Sequence, residues 1–496
     1  MANQLRSSQL QARSGCTLLL AGLCALCVLV VLVLQIAGGE ASSVSLAILT
    51  ILTSGFIAVW RIKKYGFDPL GLFAAAFLLY DGLLLLRLSL VSNSSVLLYP
   101  TSFGDETYAA AGGLCVLAAI AILFTMLAWE GVVRDRRQTN FRMPKETSAR
   151  AWFWVGFVCY LAGLALYYMQ FEQFGGYLAS LAMQRGDRFE LAGDANALSY
   201  PYMAFVVPGL ACMCYGSQNY GKRFRAASFY ILSSVWCLLV LLQGDRRLVL
   251  QAILTIVGVL AVIKPETLRL KARTLIVVAA AYCLFIVFGY ARSSISSIAT
   301  GETSTSQAIS EVNDQMSSDW LTPEHSEFAG PYLSLLMAVS GHSENLNGAT
   351  YYESFLTVLP RFMYPGQKPE LLTHEFDRQM HRGGGAISGW GYNPVAEAYV
   401  NFGVAGVSVI FVLWTLYFLA IREIRTWGDW GLLLSAALLS EAVNANRIDF
   451  RNVYWETTYF IAGITVATVL KAIISKLWND TPSEHLFCIP QIADVR

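Results

Sequence analysis

The stretch TYAAAGGLCVLAAIAILFTMLAW, residues 107–129, runs for 23 residues without a charged side chain. As a helix rising about 1.5 Å per residue it is long enough to cross a hydrocarbon core of about 30 Å. Comparable apolar stretches recur near 15–36, 42–60, 69–90, 151–171, 199–216, 227–243, 248–263, 274–290, 394–420, 428–443 and 454–475. Lipid offers a backbone amide no partner except its own helix. The expected fold is therefore all-α, a polytopic bundle of about twelve transmembrane helices. It forms a single transmembrane domain over residues 1–496, with a tail at 477–496.

Composition points the same way. Of 496 residues, 55% are hydrophobic and 14% charged, and the formal net charge is +1. Mean hydropathy is +0.50. A soluble protein carries roughly 25% charged residues and needs them to cover its surface. The near-neutral balance also disfavours nucleic-acid binding, which needs a strongly basic face.

Loop charges set the expected orientation. Arg6 and Arg13, then Arg61, Lys63 and Lys64, then the basic run from Arg134 to Arg150 fall on one side. Lys222 to Arg225, Lys264 to Arg273, Arg422, Arg425, Lys471, Lys476 and Arg496 follow on that side, making 23 of the 35 Lys and Arg. This is the expected cytoplasmic face, with both termini inside. No small-residue cleavage site follows the first apolar stretch, so it reads as retained. Nine of the ten cysteines fall in apolar segments and Cys488 in the tail, so no structural disulfide is expected. Cysteine spacing offers no zinc site, and no cofactor is expected. The cytoplasmic side has no soluble domain, which argues against an ATP-driven pump.

Two outer connections are long, an interfacial loop at 172–198 and a large loop at 291–393. The second holds apolar patches (PYLSLLMAVSG at 331–341, YYESFLTVLP at 351–360) and is expected to pack on the bundle as short helices. Loops of such length are usually functional when they are ordered.

Eleven basic residues lie on the outer side against the orientation rule: Arg185, Arg188, Arg246, Arg247, Arg292, Arg361, Lys368, Arg378, Arg382, Arg447 and Arg451. Ten are Arg, whereas the cytoplasmic set includes eight Lys. Arg presents a planar fork that grips phosphate bidentately, so an anion handled there, a pyrophosphate above all, is the natural candidate. Arg246 and Arg247 occupy a turn so tight that they must sit at the membrane boundary. Neutralisation by Asp245 and Asp187, with the side chains reaching outward, is the plainer alternative. Asp81 and Arg87 lie inside the third span, six apart. Either serves the polar site or another helix.

Asn393 followed by Pro394 reads as a helix start. Asn393, Glu397 and Asn401, spaced by four, make one polar stripe, and Glu397 is a candidate general base. The alternative is a favourable helix-dipole contact. Four of the five histidines (His325, His342, His374, His381) lie in the large loop. His381, beside Arg382, is the candidate base or sugar donor, and no third ligand is spaced for a metal. Tyr352, Trp390 and Tyr392, among other aromatics there, suit stacking on sugars or an interfacial belt.

Three stretches carry a resemblance: GDRRLVL at 244–250, GATYYESFLTVLPRFMYPGQKPEL at 348–371, and YNPVAEAYVNFGVAG at 392–406. They resemble the Wzy-type O-antigen polymerases, the oligosaccharide repeat-unit polymerase family, over about residues 150–450. The resemblance implies a C-type glycosyltransferase of the bacterial inner membrane. Such an enzyme joins undecaprenyl-pyrophosphate-linked oligosaccharide units at the periplasmic face, making O-antigen, capsule or exopolysaccharide. It implies a chain-length-regulating co-polymerase and a flippase as partners. By motif position it carries over Arg246, Arg247, Arg361, Glu397 and Asn401. Arg292, Arg382, Arg447 and Arg451 join them by topology alone, and Arg185 and Arg188, three apart in a stretch at 177–190 with a helical apolar stripe expected along the membrane interface, are added from that local pattern. An O-antigen ligase acting on lipid A core is the nearest rival. A transporter or flippase of lipid-linked sugar is a second.

Overall fold

The computed structural model describes residues 42–90, 103–132, 146–182, 201–217, 223–264, 298, 303–307, 309–310, 329–341, 345–358 and 391–480. Among the described residues the chain is helical, without a strand. Eight helices are long and apolar enough to cross a membrane. They are α1 (Ser43–Tyr65), α2 (Pro69–Leu90), α3 (Asp105–Val132), α4 (Glu146–Met169), α7 (Arg223–Leu242), α8 (Arg246–Ile263), α11 (Pro394–Ile424) and α14 (Phe450–Asp480). Between them lie the shorter α5 (Tyr177–Ala182), α6 (Met203–Ser217), α9 (Ala329–Gly341), α10 (Ala349–Thr357), α12 (Gly428–Ala437) and α13 (Glu441–Asn444). The spans expected at 15–36 and 274–290 lie outside the described residues.

Two expected spans differ from a simple rod. The segment expected at 199–216 is a helix of 15 residues, buried at every position except Phe205. A helix apolar all round belongs inside a bundle, and α6 packs tightly on α4. A Cβ on Gly156 would lie 2.7 Å from the Gly209 carbonyl, and one on Gly209 would lie 2.7 Å from the Tyr160 nitrogen. Backbone touches backbone there, the small-residue contact that holds helices together without a hydrophobic driving force. The segment expected at 428–443 breaks into α12, a 3-10 turn at Leu438–Ser440, and α13. The break falls where Ser440, Glu441 and Asn444 enter an otherwise apolar interior.

Helix α2 contains a π turn at Leu78–Leu83 that holds Asp81, and such widened turns recur at functional sites. Helix α11 is kinked at Gly403, with φ 65° and ψ −160°, a conformation that suits glycine. Below the kink, the Val400 carbonyl accepts from the Leu346 N–H at 2.9 Å, fastening the segment that leads into α10.

The face assigned most of the basic residues is tied by one charged knot. Arg61, fully buried, grips Asp68 through Nε and Nη2 at 2.8 and 2.7 Å and reaches Glu130 at 2.6 Å. Lys64 and the Tyr65 hydroxyl also bind Glu130, and Arg422 stacks 3.4 Å above the Tyr65 ring. Asp68 meanwhile caps α2 by accepting from the Gly71 N–H. Four helix ends, from α1, α2, α3 and α11, thus meet where the charge pattern placed them on one side. Cys115, Cys159, Cys212, Cys214 and Cys237 are free thiols within helices.

Candidate functional site

At the opposite end the site grows from three helix starts. Asn393 caps α11, its side-chain oxygen accepting from the Val395 and Ala396 N–H groups, as an Asn before Pro predicts. Its amide nitrogen donates to Asp81 Oδ1 at 2.6 Å, and its backbone N–H donates to Ser334 Oγ on α9 at 3.0 Å. One asparagine therefore joins α2, α9 and α11. Asp81 was legible as an intramembrane acid, and the residue it serves is Asn393.

One turn on, Glu397 is 2% exposed. Its Oε1 accepts from the Thr350 hydroxyl at 3.1 Å and its Oε2 from the Phe450 N–H at 2.7 Å. Glu397 lies in the first turn of its own helix, where the alternative dipole contact places it, and it also caps the first turn of α14. Asn401 completes the stripe: its amide nitrogen donates to Thr350 Oγ1 and to the Glu397 carbonyl, both at 2.8 Å. Thr350 thus sits between the carboxylate and the amide, bringing α10 over both. Gly348, at φ 82°, lets α10 start against the Phe402 ring; a Cβ there would lie 2.6 Å from it. Around this nest Tyr351 stacks on Phe402, and Phe355 packs on Phe450 and Tyr454.

A second nest lies where α8, α13 and α14 converge. Arg247 Nη1 pairs with Glu456 Oε1 at 2.9 Å. Gln251, one turn along α8, donates to Glu456 and Glu441. Arg246 and Arg247 form the first turn of α8, Arg447 lies in the turn before α14, and Arg451 in its first turn. Cations at helix starts run against the helix dipole, so they need a counter-charge. For Arg247 that is Glu456. Arg451 lies over the Trp455 ring at 4.5 Å. The Arg447 carbonyl accepts from the Tyr392 N–H at 2.9 Å, and a Cβ on Gly391 would strike that carbonyl at 2.2 Å.

Of the residues singled out from sequence, Glu397, Asn401, Tyr392, Arg246, Arg247, Arg447 and Arg451 fall at this end of the bundle. Tyr352 also lies here on α10, with 66% of its surface exposed. Arg185, Arg188, Arg292, Arg361, Arg382, His381 and Trp390 lie outside the described residues. Sequence reasoning passed over Thr350, Gln251, Glu441, Asn444 and Glu456. The signal for the two acids was present, since both fall inside segments read as membrane spans, where a carboxylate calls for a reason.

Comparison of the chain with protein-family models, curated proteins and solved structures finds no match.

Proposed function

We propose that the chain is a glycosyltransferase that polymerises undecaprenyl-pyrophosphate-linked oligosaccharide units at the arginine-rich end of the bundle. The observation that carries this reading is the convergence of two features. Arg247, beside Arg246 at the start of α8, is tied through Glu456 to α14, whose start carries Arg451. The same helix start is held by Glu397 through Phe450. An anion-binding rim and a buried carboxylate therefore share one helix.

In this reaction the acceptor hydroxyl oxygen attacks the anomeric carbon of the donor sugar. The bond from that carbon to the pyrophosphate oxygen breaks, and undecaprenyl pyrophosphate leaves. The arginines stabilise the charge that grows on the leaving group. Glu397 takes the acceptor proton through Oε1, the oxygen that now faces Thr350. Glu456 orients the Arg247 fork. The site faces the periplasm of a bacterial inner membrane, with a co-polymerase and a flippase as partners in assembly.

Purified protein in nanodiscs, given only the lipid-linked repeat units, tests the reading. A ladder of unit multiples on a gel is expected. Transfer of one glycan only when lipid A core is added would identify a ligase. Movement of the lipid across the bilayer with neither product would identify a transporter.

A further inference from the structure

The knot where α1, α2, α3 and α11 meet holds more positive charge than its own acids can pair. Arg61, Lys64, Arg422 and Arg425 gather around two carboxylates, Asp68 and Glu130. Both carboxylates are fully engaged. Asp68 accepts from Arg61 through both oxygens and from the Gly71 N–H. Glu130 accepts from Arg61, Lys64 and the Tyr65 hydroxyl, each at 2.6 or 2.7 Å. Arg422 is left 3.9 Å from Glu130 and rests on the Tyr65 ring.

Arg425 is left with less. Among the described residues its one hydrogen bond runs from Nη2 to the Phe67 carbonyl at 3.4 Å, and its Nε is buried without an acceptor. A buried donor left unpaired is costly. The charges that act on Arg425 are Asp68, already held by Arg61, and Arg422, which repels it. Glu423 stands between the two arginines in sequence, but neighbours one and two apart do not share a helix face. Residues three apart do, so Arg422 and Arg425 project in similar directions.

The place has the character of a membrane boundary. Lys63 is exposed at the end of α1. Trp427, two residues past Arg425, is 65% exposed and stacked on Trp430. Exposed tryptophan beside basic side chains is the pattern of the lipid headgroup layer. Arginine forks in turn grip phosphate through paired N–H groups.

We propose that Arg422 and Arg425 form a binding site for one phosphate group, that of an anionic phospholipid headgroup seated against the ends of α1 and α11. Phosphate oxygens supply the acceptor that Nε lacks and the negative charge that Asp68 and Glu130 have already given to Arg61 and Lys64. The single long bond to Phe67 leaves the Arg425 fork free to turn onto it. The inference does not depend on the glycosyltransferase reading.

The test melts the purified full-length chain in neutral detergent at one ionic strength, with phosphatidylcholine, with phosphatidylglycerol, or with phosphatidylcholine and inorganic phosphate. Native mass spectrometry counts the lipid that stays bound. Phosphatidylglycerol should raise the melting temperature by a few degrees in a saturable way, with one molecule retained per chain. Arg422→Gln and Arg425→Gln should each lose the shift and the retained lipid. Arg223→Gln, at an exposed arginine of α7 assigned to the same face, should keep both. Equal melting in the two lipids, with no phosphatidylglycerol retained by the wild-type protein, would overturn the proposal. So would an equal loss in Arg223→Gln, which would mean that the basic face attracts anionic lipid without a site. Protection by inorganic phosphate as strong as by phosphatidylglycerol would overturn the lipid as the source and assign the site to a soluble phosphate. The wild-type protein in the three mixtures can overturn the proposal alone, so a variant that fails to fold does not shield the idea.

Discussion

Glu397 Oε2 accepts the backbone N–H of Phe450 at 2.7 Å, across 53 residues of sequence. A side chain on the first turn of α11 thereby caps the first turn of α14. The contact places the candidate base and the helix that bears Arg451 in a fixed relation, so a change at one is felt at the other.

Glu397→Gln keeps an oxygen that can accept from Phe450, so the chain should fold and melt close to the wild type. Polymerisation should be lost, because an amide cannot take a proton from the acceptor. Glu397→Ala leaves Phe450 N–H and Thr350 without their partner and should cost about 1–3 kcal/mol of stability. Melting curves of the two variants beside a product gel check both statements. Full activity in Glu397→Gln would remove the base assignment.

Arg247→Ala strands the buried Glu456 carboxylate, a change that costs about 3–5 kcal/mol when a buried pair is broken. The double change Arg247→Met with Glu456→Met should recover most of that loss. Denaturant unfolding of the single and double variants reads the coupling. Arg247→Lys should fold but lose product, since one ammonium cannot reproduce a planar fork.

Gly156→Ala places a methyl group against the Gly209 carbonyl and should lower stability by about 1–3 kcal/mol. Gly113, also within a helix, has no atom within 4 Å of its missing Cβ. Gly113→Ala should be neutral or stabilising by up to about 1 kcal/mol. If both changes cost the same, the close approach of α4 and α6 is not what holds them.

Sidedness has its own measurement. Cysteine placed at exposed Thr426 should resist an impermeant maleimide in intact cells and react after permeabilisation. Cysteine at Leu346, 42% exposed, should react from the outside at once. The reverse pattern would invert the orientation drawn from loop charge.

Much of this was legible in residue order. Long apolar runs mark the spanning helices because lipid permits little else, and Asn393–Pro394 marks the start of α11 because local chemistry dictates it. The stripe of Glu397 and Asn401 was readable from spacing alone. What it binds was not: Thr350 arrives from α10 and Phe450 from α14, 47 and 53 residues away, and no periodicity announces such contacts. Glu441 and Glu456 were hidden differently. Each is a lone acid in an apolar run, and only the meeting of α8, α13 and α14 shows that they belong together. The shortness of α6 and the break between α12 and α13 follow from burial inside the bundle, which hydropathy does not separate from exposure to lipid.

The π turn at Leu78–Leu83 also constrains how this gene can change. Such a turn holds one residue more than the regular helix around it. Removing one amino acid there would let the helix close into regular form with the turns on either side nearly in phase, because the wide turn already absorbs the extra residue. What would be lost is the widened stretch that holds Asp81 toward Asn393. A deletion in the regular helix on either side would instead swing everything beyond it about 100° around the axis and unseat that half of α2 from α1. The turn is thus the one place in α2 where a residue can be lost without re-phasing the helix, and the cost falls on Asp81.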